Sequence, residues 1–254
     1  MLHARQRTGR ANTARGTARF VDELAAWVHR AGATGELTMR ADSGFWSAKT
    51  IKTCRRDRIH YSITVRLTTP IRAAIQAIDE VAWVEIAYPD GGLAQVAETH
   101  YRGDRLVVRR TRLVGKQAEL FPNWRYHAFV TDRVGTTVWL DQDHRRHAVV
   151  ELCIRDLKAG VGLRHHPSGE FTANAAWLLA ATLAHNLLRW VAAIGLGARG
   201  ELVVAKTLRR TLLSLPGRLT RSARRLILHL PAGWPWAAWF ELALARLRCV
   251  AYAT

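Results

Sequence analysis

Two carboxylates stand where carboxylates could do chemistry. Asp42 ends the short run "ELTMRAD" (36–42) and is followed by a glycine turn and by Ser47, a residue type that opens helices. Glu151 sits in "HRRHAVVELCIRDLKAG" (144–160), among His144, His147, Arg155 and Lys158. Stepped at about 100° per residue on a helix, these five fall in one narrow sector, while Val150, Ile154 and Leu157 form a separate stripe able to face a core. One reading of an acid ringed by cations is local pairing on a solvated face, Glu151 with Arg155. The corresponding reading of Asp42 is a cap on its own turn. Carboxylates that converge from remote segments, however, are the usual holders of Mg²⁺. A pair of ions held in that way activates a nucleophile and clamps the leaving oxygen in phosphoryl transfer.

Such acids need elements to position them. Before Asp42, "TARFVDELAAWVHRAG" has helical apolar spacing at Phe20, Leu24, Trp27 and Val28. After it, "SAKTIKTCRRD" reads as a helix with Ser47 as N-cap, and "IHYSITVRL" (59–67) as a strand rich in β-branched and aromatic residues. Residues 1–67 thus read strand, helix, strand, helix, strand, an α/β pattern that favours parallel strands. The C-terminal edge of such a sheet is where ligand sites form. "PIRAAIQAID" (70–79) reads as a short helix. Hairpin material follows, with turns at "PDGG" and "RGD" and a further hairpin-like pair around "DRVG". From about residue 142 helical spacing resumes and is expected to run to the end of the chain, with breaks at "HHPSG", "LGARG", "LPGR" and "LPAGWPW".

The balance of 38 Lys and Arg against 20 Asp and Glu gives a net charge of +18, which favours a polyanionic partner, most often nucleic acid. Two runs concentrate it: "RQRTGRANTARGTAR", with five Arg, and "KTLRRTLLSLPGRLTRSARR" (206–225), with six Arg and one Lys and no acid. Cys54, Cys153 and Cys249 lie far apart with no Cys-x-x-Cys pair, so neither a disulfide framework nor a zinc site is indicated, and a reducing cytoplasm fits. The first residues lack the apolar run of a signal peptide. "AAWLLAATLAHNLLRWVAAIGLGA" has the length of a membrane span, but His185, Asn186 and Arg189 within it make a buried helix of a soluble protein the expectation.

The joint pattern of "MRADSGFWSAKTIKTCRRDRIHYSITVR" and, far downstream, "HAVVELCIRDLK" resembles the DDE transposases of bacterial insertion sequences. The resemblance implies an α/β, ribonuclease H-like core with a β-rich insertion and an α-helical C-terminal region. Residues 1–79 would be the first part of the core, 80–141 the insertion, 142–195 the completion of the core with the catalytic Glu helix, and 196–254 the helical C-terminal region. By the same resemblance Asp42 matches the second catalytic Asp and Glu151 the catalytic Glu, both ligands of Mg²⁺ or Mn²⁺. Lys158 matches a signature Lys, and His144 and His147 stand where the signature has Tyr and Arg. With Arg155 they are the expected DNA contacts. In the family a first core strand carrying the first Asp lies upstream of the equivalent of "LHARQRTGRANTARG", the segment that Met1 begins here. An incomplete core without that strand is therefore expected.

The implied function is Mg²⁺-dependent DNA strand cleavage and strand transfer. The partners are double-stranded transposon ends and target DNA, bound by a homodimer in the cytoplasm at the nucleoid, with no membrane. A truncated copy would be catalytically impaired. Two alternatives stay open: a non-enzymatic DNA-binding transposase remnant, and a nuclease-like enzyme in which Asp132, Asp141 or Asp143 substitutes for the missing acid.

Overall fold

Thr17–Arg30 forms the first helix, α1, of a computed structural model that describes residues 1–9, 14–88, 92–112, 124–146, 148–197, 203–231 and 233–250. The chain makes two compact units, one of Leu2 with Gly9–Ala148, the other of Met1 and His3–Thr8 with Val149–Thr254.

The first unit is built on a six-stranded sheet. Its strands are β1 (Thr38–Ala41), β2 (His60–Thr64), β3 (Val84–Glu85), β4 (Leu93–Tyr101), β5 (Asp104–Arg112) and β6 (Arg125–Thr131), in the order β1-β2-β6-β5-β4-β3. Only β1 and β2 run parallel, in register from Thr38↔His60 to Ala41↔Ile63. A parallel pair needs a crossover, and α2 (Ala48–Arg56) provides it, its first turn capped by the Ser47 hydroxyl, which accepts from the Thr50 N–H at 3.1 Å. The strands of the expected insertion extend this same sheet, because β6 pairs antiparallel with β2. At "RGD" the expected turn closes β4 onto β5, with Arg102 and Gly103 both at positive φ.

Alternation along the strands separates two faces. Tyr61 and Ile63 of β2 join Val21 of α1, Cys54 of α2, Ile71 and Ile75 of α3 (Thr69–Gln76), Val108 and Val130 in the main core. Cys54 is fully buried with its Sγ 3.7 Å from Met39 Sδ, and burial pushes its thiol up to about 11. On the opposite face Val107 and Phe129 pack on Leu140 of α4 (Thr137–Arg145).

That helix is a departure from expectation. "YHAFVTDRVGTTVWLD" is a strand followed by a helix, not a hairpin. The Thr136 hydroxyl caps the helix by accepting from the Trp139 N–H at 3.3 Å, and a helix alone brings Asp141 and Asp143 to arginines of the sheet. No strand precedes α1 among the described residues, so the first of the three expected strands is not found. Most of the "PDGG" turn lies outside them.

The second unit contains α5 (Ala148–Gly160), α6 (Phe171–Trp190) with a wider π turn at Val191–Gly195, α7 (Ala205–Leu208) with another at Arg209–Leu213, and α8 (Ala237–Arg248). Leu188, Ala192, Ala205, Leu208 and Leu212 form its core. Gly195 lets α8 approach, since a Cβ there would come within 2.9 Å of the Ala243 Cβ. Two expectations are corrected here. The tail is not helical throughout: β7 (Arg218–Ser222) and β8 (Arg225–His229) form an antiparallel hairpin. And α6, expected to be buried, keeps Leu179 and Leu183 about 60% exposed, with Leu187 and Trp190 also exposed. By length and composition alone, Phe171–Gly195 could cross a membrane.

Candidate functional site

Asp42 follows β1 directly and is exposed. Its Oδ1 accepts from the Gly44 N–H at 2.9 Å, and its carbonyl accepts from the Phe45 N–H at 3.1 Å, so the turn before α2 is tied to it. The second carboxylate oxygen meets no protein donor among the described residues. Asp42 therefore caps its turn and still offers a hard anionic oxygen to solvent.

Four other acids around this sheet are committed. Asp141 is wholly buried, with Arg109 Nη1 at 2.9 Å and Arg145 Nε at 3.0 Å. Burial raises its pKa despite both guanidinium groups. Asp143 is paired with Arg133 and with Arg40, the latter at 3.3 Å, which ties α4 to β1 two residues before Asp42. Asp132 accepts from the Tyr61 N–H at 2.9 Å and faces His60 Nδ1 at 3.3 Å. Asp104 takes hydrogen bonds from the Tyr61 hydroxyl and from Arg55, the latter at 2.5 Å. Burial foremost, then that acid, raises the Tyr61 pKa. Arg55 and Asp104 also line a cleft of about 480 Å³ with Trp46, Lys52, Tyr101 and Arg102. None of the three substitute acids weighed from the sequence is left uncommitted.

Glu151 belongs to the second unit, in the first turn of α5, and is exposed, as are Arg155 and Lys158. No ion pair joins Glu151 to Arg155 among the described residues. The single helix drawn from His144 to Lys158 is in fact two, since α4 ends at Arg145 and α5 begins at Ala148. His147 lies outside the described residues. His144 belongs to the first unit and is buried, its ring stacked on Phe129 at 4.0 Å, with Nδ1 2.7 Å from Ser62 Oγ and Nε2 3.1 Å from Thr64 Oγ1. Both ring nitrogens serve the sheet, so the ring packs and does not face a phosphate.

The stripe expected to bury α5 is also corrected. Val150 and Ile154 are exposed, and the inward positions are Asp156, Leu157 and Gly160. Asp156, which sequence reasoning passed over, is 4% exposed. Its Oδ1 accepts from the Ala205 N–H at 2.9 Å, and its Oδ2 lies 3.3 Å from His185 Nε2 of α6. Burial lowers the His185 pKa, against the pull of Asp156. The signal was present: five residues past Glu151, Asp156 falls about 140° round the helix, next to Leu157 on the inward side. On this account Asp156 anchors the helix that displays Glu151.

Among the described residues no group of three or more His, Cys, Asp and Glu is gathered to hold a metal ion. A search of curated proteins finds no match. The family of transposase DDE domains, group 1, matches residues 1–251. With an α/β sheet that delivers an exposed Asp at the end of a parallel strand, and with a match spanning nearly all of its length, the chain belongs to the DDE transposase domain family.

Proposed function

We propose that this chain acts on double-stranded DNA as a transposase domain, with Asp42 and Glu151 as its metal-holding carboxylates. The observation that carries the reading is selective: Asp42 keeps an oxygen for solvent while Asp104, Asp132, Asp141 and Asp143 are consumed by arginines and backbone donors. Exposed carboxylate oxygens suit Mg²⁺ or Mn²⁺. Such an ion, when bound, supplies Lewis acidity to phosphoryl transfer. Arg155 and Lys158 neutralise phosphates beside the scissile bond. A water oxygen then forms its bond to phosphorus as the 3′ oxygen leaves, and the freed 3′-hydroxyl forms its bond to a target phosphorus as the target strand's own 3′ oxygen leaves with the proton. A homodimer on DNA would hold the two ends, in the cytoplasm at the nucleoid. Because no group of three or more His, Cys, Asp and Glu is gathered among the described residues, the reading includes impaired cutting.

Purified protein tests this. It should retain duplex DNA and nick supercoiled plasmid weakly or not at all with Mg²⁺. Mn²⁺ should broaden the amide resonance of Gly44 by paramagnetic relaxation, and Asp42→Asn should suppress that broadening. Strong nicking that survives Asp42→Asn would favour a nuclease with another acid. DNA retention without Mn²⁺ broadening would favour the non-enzymatic remnant.

A further inference from the structure

The hairpin of β7 and β8 is the most exposed regular element of the second unit. Every residue of both strands is exposed except Thr220, which is half-buried. Two five-residue strands do not hold together well in water by themselves. Its reverse turn makes this worse. Ala223 and Arg224 join the strands with φ of 47° and 64°, a left-handed pair that glycine and asparagine occupy more cheaply.

The register assigns its two faces. Arg218, Thr220 and Ser222 lie beside His229, Ile227 and Arg225 on one side, with Thr220 Oγ1 2.9 Å from His229 Nε2. Leu219 and Arg221 lie beside Leu228 and Leu226 on the other. Arg221, Arg224 and Arg225 crowd the tip. None of these arginines, nor Arg218, joins an ion pair among the described residues. The reason is in the sequence: no Asp or Glu occurs between Glu201 and Glu241. Four guanidinium groups on a two-stranded ribbon repel one another until a polyanion arrives.

We propose that the Arg218–His229 hairpin is a DNA-gripping ribbon, its arginines on the phosphates that flank a groove of the duplex and its Arg218–Thr220–Ser222 face turned to the groove. The inference rests on the reading of the chain as a DNA-acting transposase domain, and it locates binding on an element apart from Asp42 and Glu151. The fit is one of both size and charge. The major groove admits a two-stranded β-ribbon. Arginine contacts to phosphate release counterions and set a salt dependence independent of sequence. Within the two units, charge points the same way: the second carries 16 Lys and Arg against five Asp and Glu, the first 22 against 15.

The test is a salt series with the full chain and a random-sequence duplex. Affinity should fall steeply with salt in the wild type. Combined Arg218→Gln, Arg221→Gln, Arg224→Gln and Arg225→Gln should lower the slope of log K against log salt by about 3.6, since each of the four phosphate contacts contributes about 0.9. Affinity at low salt should drop at least tenfold. The fourfold Arg→Lys variant should keep the slope, which separates lost charge from a hairpin that no longer forms. An unchanged slope in the glutamine variant overturns the hairpin's role and leaves the DNA reading of the chain intact. A wild type that binds no duplex at low salt overturns both. If instead Leu219→Ser with Leu228→Ser abolishes self-association while the arginine variants bind DNA normally, the hairpin is a contact between copies of this chain, and the proposal fails.

Discussion

Arginine does opposite work in the two units. In the sheet unit it is a structural residue: Arg40, Arg109, Arg133 and Arg145 close on Asp141 and Asp143, and Arg110 lies 4.2 Å over the Trp83 ring while bonding Glu80. In the hairpin the same side chain meets no acid among the described residues. Net charge alone therefore says little about which cations are available to a partner. The available ones are those whose neighbours in space, not in sequence, lack carboxylates.

The contrast can be broken by experiment. The largest effect should come from Asp141→Ala, which strands Arg109 and Arg145 against a buried cavity. Loss of one partner of a buried ion pair costs about 3 kcal/mol or more, read as a lower urea midpoint. If it costs no more than a surface substitution, the sheet unit's arginines are not structural.

Acid should follow. His127 is held neutral, its pKa lowered to about 4, first by burial and then by Arg109. Its folded pKa is below the unfolded value, so the unfolded state takes up the proton first. The stability contribution is complete above about 6.5 and is lost as pH falls towards about 4. His127→Gln should flatten the dependence of Tm on pH across that window.

A smaller loss is expected at Asp156→Ala, which leaves the Ala205 N–H unpaired, a cost of about 1–3 kcal/mol. Amide exchange should accelerate in α5 and α6 while the sheet is unaffected. Ala223→Gly should tighten the hairpin by about 1 kcal/mol, seen as slower exchange at β7 and β8. Smallest of all, Arg221→Gln should change the urea midpoint by no more than about 0.5 kcal/mol while still weakening DNA retention. That dissociation of binding from stability is what no arginine of the Asp141 cluster should show.

The sequence carried the parallel pair well. β-branched residues in 59–67, the Ser47 cap and the apolar period of α1 are local signals, and each led to the element found. What escaped it was set at a distance. α4 was hidden because Thr, Val and Trp at 137–139 read as strand, and only the remote Arg40 and Arg109 show why Asp141 and Asp143 had to turn inward. The hairpin was hidden because its Leu and Arg residues suit a helix and its turn lacks glycine or asparagine. His144 was misjudged for a related reason, since a basic segment of sequence does not reveal that one ring stacks on Phe129. Asp42 and Glu151 were legible as acids in context. The committed state of their rivals was not.

The buried Cys54 also gives the sheet unit a clock. A thiol with its pKa near 11, buried on the inner face of α2, reacts with an alkylating reagent only when the unit opens. Cys249, exposed after α8, is alkylated without waiting. Pulse labelling of one preparation, read by peptide mass, would thus time the opening of the sheet against an internal zero, with no engineered probe.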